Sequence, residues 1–247
     1  MALPASEPHN ALQRGAKGAE VEALQKLLNR IGALLVTDGD FGGGTEGAVV
    51  EAQQLAALPV NGIADAATWT WLESQPEPSD VIPTEAVTFI VREEVGSRKF
   101  YEQHVAMPHF PGEASGVTIG VGYDLRFQEA ADFEADWAGI LTPTQMDALR
   151  PHLGKKGSDA AVGALGNLSI PFHAAWTVFV KSALPRGIEQ TESAYGALAK
   201  LPPLCRGALV SLVYNRGTKM TGDTRREMKA IRDHINADKL DRVAAEF

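Results

Sequence analysis

The chain has 247 residues, enough for one or two domains that each bury a core. Its net charge of −8 argues against nucleic acid as a partner, and its single cysteine excludes an internal disulfide. No run of about eighteen apolar residues occurs, so no membrane span is expected. From the N-terminus, Leu12, Val21, Leu24, Leu27 and Leu28 form an apolar stripe, with Gly15 and Gly18 ahead of it and Gly32 as a C-terminal stop. Asp38-Gly-Asp-Phe-Gly42 follows, then Thr45 as N-cap of a second helix carrying Ala48, Val49 and Gln53. Val60-Asn-Gly-Ile-Ala-Asp65 reads as a turn, and Thr68, Trp69 and Leu72 mark a third helix.

This segment, residues 8–74, resembles the three-helix peptidoglycan-binding domain attached to many cell-wall hydrolases. The resemblance implies a wall-binding role around Asp38, Asp40 and Phe41, with Phe41 either in the core or lining a groove. Ala52 departs from it, standing where an aromatic residue usually precedes the glutamine. Asp38-Gly-Asp40 lacks the remaining acidic positions of a calcium loop, so no calcium is expected there. Residues 75–84 lie in a stretch with three prolines between Glu73 and Pro83, which reads as a short, stiff linker.

A helix is expected after Pro83, with Thr84 as N-cap and Glu85 at the positive end of the dipole. Val87, Ile90, Val91 and Val95 lie on one face of it. Glu94 falls inside that stripe, whereas Glu93 is rotated off it by roughly 100°. A carboxyl among aliphatic groups is harder to ionise, as a general acid working near neutrality requires. The plainer reading is a helix-end glutamate leaning into solvent. Further on, Val117, Ile119, Val121 and Tyr123 alternate with Thr118, Gly120, Gly122 and Asp124. Fully extended, Thr118 and Asp124 would lie roughly 20 Å apart, and the glycines allow the bend that brings them to one cleft. The stretch lacks the third glycine of a dinucleotide loop and the lysine of a phosphate loop, leaving a purely structural hairpin as the alternative.

Glu94 through Tyr101, then Thr118-Ile-Gly-Val-Gly-Tyr-Asp124, resembles the catalytic core of phage-type lysozymes. The aspartate six residues after the threonine is closer to the muramidase domain of pesticin-like bacteriocins. Downstream, Cys205 to Gly217, followed by Met220-Thr-Gly222 and Arg225 to Met228, is similar to the central helix and following turn of that fold. The resemblance implies Glu94 as acid, with Asp124 and Thr118 handling water, and substrate contacts at Tyr101, Tyr123, Asn215 and Arg216. Gln103 replaces the aspartate usually found two residues after the tyrosine, and the loop to Thr118 is longer. The second carboxylate is therefore Asp124 first, with Glu102 and Glu113 as outsiders.

Thr142-Pro143 opens a further helix, closed by Gly154. Pro171 to Leu184 places Ala174, Ala175, Val178 and Phe179 on one face, with Trp176 and a structural His173 elsewhere. Leu204 to Tyr214 is apolar nearly all round and is expected to be a buried central helix containing a core Cys205. Ile231 to Phe247 is amphipathic and ends abruptly, so part of a lysozyme fold is either absent or completed from elsewhere. The basic pairs Arg98-Lys99, Lys155-Lys156 and Arg225-Arg226 offset the acidic balance locally.

The expected fold class is mainly α (α+β): a three-helix bundle, a linker, and a lysozyme-like helical domain with a small β-hairpin over residues 85–247. The six histidines lack metal-ligand spacing and no G-x-S-x-G elbow occurs, so no metal, cofactor or serine nucleophile is expected. The expected function is a muramidase cleaving the β-1,4 bond between N-acetylmuramic acid and N-acetylglucosamine, with inversion. Met-Ala-Leu-Pro-Ala-Ser-Glu has neither a basic nor a long apolar region and is not a secretory signal. The simplest setting is then a monomeric phage endolysin with peptidoglycan as partner, made in the host cytoplasm and released to the wall by a holin. The alternatives are a non-catalytic wall-binding protein with a degenerate lysozyme-like domain, or a translocated antibacterial effector or bacteriocin.

Overall fold

A computed structural model of the protein describes residues 9–222 and 225–246. The opening Met1–Glu7, read above for a signal, and the terminal Phe247 lie outside the described residues. The chain is mainly α and divides between Pro78 and Ser79 into two units. Among the described residues no helix is long and apolar enough to cross a membrane.

The first unit holds α1 (Ala19–Arg30), α2 (Gly43–Leu55) and α3 (Ala66–Glu73). Val21, Leu24, Leu28, Phe41, Val49, Trp69 and Leu72 close its core. Leu12 joins that core from outside the helix it was expected to extend. Its backbone pairs with Ala64 in both directions, at 3.1 and 2.8 Å, because Gly15 and Gly18 (φ 95° and 106°) turn the chain before α1 begins. Thr45 is not an N-cap either: Gly42 holds that position, and the Thr45 hydroxyl is buried against Gln25.

Two buried glutamines pin the two loops of this unit in the same manner. Gln25 Nε2 donates to Asp38 Oδ1 (2.9 Å), the Asp40 carbonyl (3.1 Å) and Thr45 Oγ1 (3.2 Å), while its Oε1 accepts from Gly39 N (3.0 Å). Gln53 Nε2 donates to Asn61 Oδ1 (3.0 Å), the Ile63 carbonyl (2.8 Å) and Thr68 Oγ1 (3.3 Å), and its Oε1 accepts from Gly62 N (3.0 Å). In each loop the residue before the glycine caps the amide two positions on: Asp40 N to Asp38 and Ile63 N to Asn61, both at 2.9 Å. Asp38-Gly39 and Asn61-Gly62 are thus equivalent turns. Buried polar groups are tolerated because nearly every donor and acceptor is met.

The segment expected as a stiff linker is tied down on both sides. Arg30 holds the Gln75 carbonyl at 3.3 Å and pairs with Glu77, and Arg206 donates to the Val81 carbonyl at 3.2 Å.

The second unit opens with α4 (Thr84–Val95), whose N-cap is Pro83 rather than Thr84. A short α5 (Arg98–Phe100) runs into a π turn over Tyr101–Val105. The hairpin strands β1 (Thr118–Ile119) and β2 (Tyr123–Asp124) follow, then α6 (Ala130–Trp137), α7 (Pro143–Leu149) and α8 (Asp159–Gly163). Thr142 caps α7 with Pro143 at its start, as the Thr-Pro signal implies, and Gln145 completes a capping box; the helix ends at Leu149, short of the expected stop at Gly154. The chain ends in α9 (Phe172–Val178), α10 (Leu184–Tyr195), α11 (Pro203–Arg216), α12 (Arg226–Asn236) and a 3₁₀ turn over Leu240–Glu246. On α9 the expected face is incomplete. Trp176 is buried beside Ala175 and Val178, and His173 is exposed rather than structural.

The near-uniform apolarity of α11 is misleading. Gly207, Leu209, Val210 and Val213 are buried, but Leu204 is 57% exposed and Cys205 half-buried, so one face packs and the other does not. The packed face lies against α4. A Cβ at Gly207 would sit 2.2 Å from Ala86 Cβ, far inside contact distance, so only glycine permits this approach. Gly207→Ala must separate the helices and should destabilise the protein by about 1–3 kcal/mol, as overpacking does. Urea unfolding of the full chain measures this, and an unchanged midpoint would show that the helices part freely.

Candidate active site

Val87, Ile90, Val91 and Val95 are all at most 1% exposed, which fixes the rotation of α4. Glu94 is thereby half-buried at the C-terminal end of the helix while Glu93 stays in solvent. Burial, and secondarily the charge of Glu93, push the Glu94 carboxyl above the ordinary glutamate range. Its Oε2 would lie 3.4 Å from a Cβ at Gly122, and the Tyr214 hydroxyl 3.3 Å from the same point. Glu94 from α4, Tyr214 from α11 and the hairpin turn therefore meet. Burial and the neighbouring Glu94 charge raise the Tyr214 phenol, keeping it a neutral donor. Its hydroxyl lies 3.5 Å from the Val121 carbonyl.

Gly120 (φ 58°) and Gly122 (φ 64°) supply the left-handed turn between the strands. The resulting register pairs Thr118 directly with Asp124, so the bend required by the sequence is present. Gly122 precedes Asp124 by two residues, a step of roughly 7 Å in extended chain. The carboxylate of Asp124 is held by backbone amides. Gly116 N donates to both of its oxygens (2.9 and 3.0 Å) and Arg126 N donates to Oδ1 at 2.9 Å. Gly116 must be glycine here, since a Cβ would lie 2.5 Å from Asp124 Oδ1. Thr118 is 4% exposed, and its Oγ1 has no hydrogen-bond partner among the described residues.

On its other side Thr118 pairs with His109, with His109 N to Thr118 O at 3.0 Å and Thr118 N to His109 O at 2.8 Å. His109 was invisible as a site residue, because a lone histidine in an irregular loop carries no motif. Tyr214 was visible only as one member of an apolar helix.

The tyrosines expected at the substrate are packing residues instead. Tyr101 is fully buried, donates to the Ile170 carbonyl at 2.9 Å and meets Phe172 edge-on, so no sugar reaches it. Tyr123 is 4% exposed, stands edge-on to Trp137 and donates to Asp136 Oδ2 at 2.8 Å. Arg186 pairs with the same oxygen at 2.8 Å. Although burial opposes it, hydrogen bonds from Ser182, Arg186 and Tyr123 hold the Asp136 carboxyl below its usual range. Asn215 and Arg216 are exposed at the end of α11, where Asn215 Nδ2 caps the Ser211 carbonyl at 3.0 Å. Glu102 and Glu113 are exposed. In the first unit Phe41 is fully buried and therefore core rather than groove. Asp38 and Asp40 are exposed, the first bound by Gln25 and the second paired with Lys17 at 2.8 Å.

Residues 17–72, within the three-helix unit, match the family model described as "Putative peptidoglycan binding domain". Residues 86–165, containing Glu94, His109, Thr118 and Asp124, match a second model, a domain of unknown function (DUF8812). Among solved structures, the crystal structure of the Burkholderia AP3 phage endolysin aligns over 96% of this chain and 89% of its own, at 18% identity and a TM-score of 0.27. No curated protein matches the chain.

Two measurements test this geometry. Because folding raises the Glu94 pKa above the ordinary 4.5, the folded state holds that proton more tightly than the unfolded chain. The associated stability is present below pH 4.5 and is lost as pH rises through the folded value. Glu94→Gln should therefore raise the melting temperature at pH 7 and raise it less at pH 4, by calorimetry. Equal shifts at both pH values would remove burial as the cause. Gly122→Ala should cost about 1–2 kcal/mol from its left-handed backbone and also move the Glu94 carboxyl. Gly139→Ala, with similar φ but open space around it, should cost the strain alone and leave the Glu94 titration, followed by NMR, unchanged.

Proposed function

We propose that the protein is a peptidoglycan hydrolase, a muramidase in which the N-terminal unit holds the wall and the second unit cuts its glycan strand. The single observation that carries this reading is the half-buried Glu94 with its raised pKa, set against the hairpin that pairs Thr118 with Asp124. A carboxyl whose ionisation is opposed by burial is suited to give its proton to the oxygen leaving a glycosidic bond. The Thr118–Asp124 pair lies about two residue steps along the hairpin from the Gly122 contact, and supplies a hydroxyl and a fixed negative charge for a water on the opposite face of the sugar. A carboxyl separation of roughly 6.5–9.5 Å leaves room for that water and implies inversion at the anomeric carbon. The match of residues 17–72 supports peptidoglycan as the substrate, and the bond proposed to be cut is the one between N-acetylmuramic acid and N-acetylglucosamine.

A second reading is a wall-binding protein without hydrolytic activity. The observation favouring it is that Asp124 has both oxygens bonded to backbone amides, as a purely structural loop clamp would.

Clearing of purified sacculi, with release of reducing ends, separates the two. Wild type should release reducing sugar, and Glu94→Gln should lower the rate by about 10²- to 10⁴-fold, since it keeps shape but cannot give a proton. Glu93→Gln, off the buried stripe, should remain active. Binding of sacculi by wild type without any release of reducing ends would establish the second reading.

A further inference from the structure

The phenol of Tyr214 and the carboxyl of Glu94 reach the same spot from different helices. A Cβ placed on Gly122 would have the Tyr214 hydroxyl at 3.3 Å and Glu94 Oε2 at 3.4 Å, the first from α11 and the second from α4. The Tyr214 ring is held from behind. It meets Phe179 edge-on, with ring centroids 5.9 Å apart, and lies beside Gly187 of α10. Glu94 ends in a flexible side chain in the last turn of α4, so its carboxyl is the partner that moves.

The phenol proton is poorly used. The Tyr214 hydroxyl lies 3.5 Å from the Val121 carbonyl, about half an ångström longer than an ordinary O–H···O bond. A weakly bonded hydroxyl gains more from a carboxylate than from a carbonyl, because a hydrogen bond to a charged group is about twice as strong as one between neutral groups. That gain is small while Glu94 is protonated and large once it ionises. The charges facing the pair are Glu93 on α4, which opposes ionisation of Glu94, and Arg186 on α10, which acts on Tyr214. The hairpin meets them with Val121 and Gly122, which carry no charge.

We propose that Tyr214 is a positioning residue for the acid of the glycoside hydrolysis proposed above, on which this inference rests: its hydroxyl turns from the Val121 carbonyl to the Glu94 carboxylate as Glu94 gives up its proton. When the glycosidic C–O bond breaks, its electron pair stays on the leaving oxygen, which takes the Glu94 proton. The water that adds to the anomeric carbon gives up the balancing proton on the opposite face, and exchange with solvent returns one proton to Glu94. Tyr214 keeps its own proton throughout. Its bond to Glu94 forms only as charge develops there, so it lowers the barrier rather than tightening substrate binding. Burial makes the carboxyl hard to ionise before reaction, and the phenol relieves the buried charge after it.

The test uses the full chain, and its first readout needs no turnover. Tyr214→Phe keeps the ring and removes the donor. The Glu94 titration, followed by NMR in the free protein, should move to still higher pH, because the ionised form loses a hydrogen bond. The melting temperature should fall more at pH 8 than at pH 4, and that difference should vanish in a Glu94→Gln background. On soluble glycan fragments of peptidoglycan, kcat should fall by about 10-fold or more with KM little changed. The alkaline limb of the rate profile should follow the Glu94 titration upward. Tyr214→Leu admits water and should move the titration down instead. A titration that stays in place or moves down in folded Tyr214→Phe would overturn the role of Tyr214, and release of reducing ends by wild type would leave the hydrolase reading standing. Absence of reducing ends from wild type would overturn the hydrolase reading and this inference with it.

Discussion

The contact between Ala86 and Gly207 is the constraint on which the rest of the second unit depends. With no side chain at 207, α11 lies against α4 at a distance no other residue allows. Ala86 stands in the first turn of α4 and Gly207 early in α11, while Glu94 and Tyr214 meet about two turns further along. The helices therefore run in the same direction, and the close approach at one end sets the spacing at the other. Glu94 owes its half-buried position to that spacing as much as to its place in the apolar stripe. The glycine of the hairpin completes the arrangement, because Gly122 leaves just enough room for a carboxyl and a phenol to face one point.

The polar groups around this junction divide into those fully satisfied and those left open. Asp136 gathers Tyr123, Ser182 and Arg186 into a closed network that anchors the hairpin to α6 and α10. Asp124 is closed by backbone amides. Thr118 Oγ1 and His109 Nδ1 are instead buried without a partner among the described residues. Closed networks rigidify, so the small hairpin is held as a scaffold beside the carboxyl of Glu94.

Periodicity made the helical framework legible. The α4 stripe, the Thr142-Pro143 start of α7 and the glycine-bent hairpin all stand where the sequence placed them, because each is decided by local chemistry. The errors share one cause, namely that tertiary packing overrode a local signal. Leu12 continues the apolar pattern of α1 yet pairs as a bridge, and Thr45 looks like a cap yet turns inward to Gln25. The α11 segment reads as wholly buried although only the face carrying Gly207 and Val210 is. At the site, Glu94 was readable from its position on one helix. Tyr101 and Tyr123 were drawn to the substrate by motif and to the core by their size. His109 was unreadable because its place depends on a two-residue bridge formed across a loop.

The paired glutamine pins of the first unit carry a consequence for motion. Loops normally exchange their amide protons with solvent quickly, since their hydrogen bonds open without unfolding anything else. Gly39 and Gly62 lie in loops, yet their N–H groups are bonded to side chains that are themselves almost wholly enclosed by the three helices. Releasing either proton requires the glutamine to leave the core, which means opening the helices around it. These two turn amides should therefore exchange on the timescale of global unfolding rather than of loop fluctuation. In kinetic terms the turns belong to the folding unit of the bundle, and what they present to solvent is held as rigidly as the helices themselves.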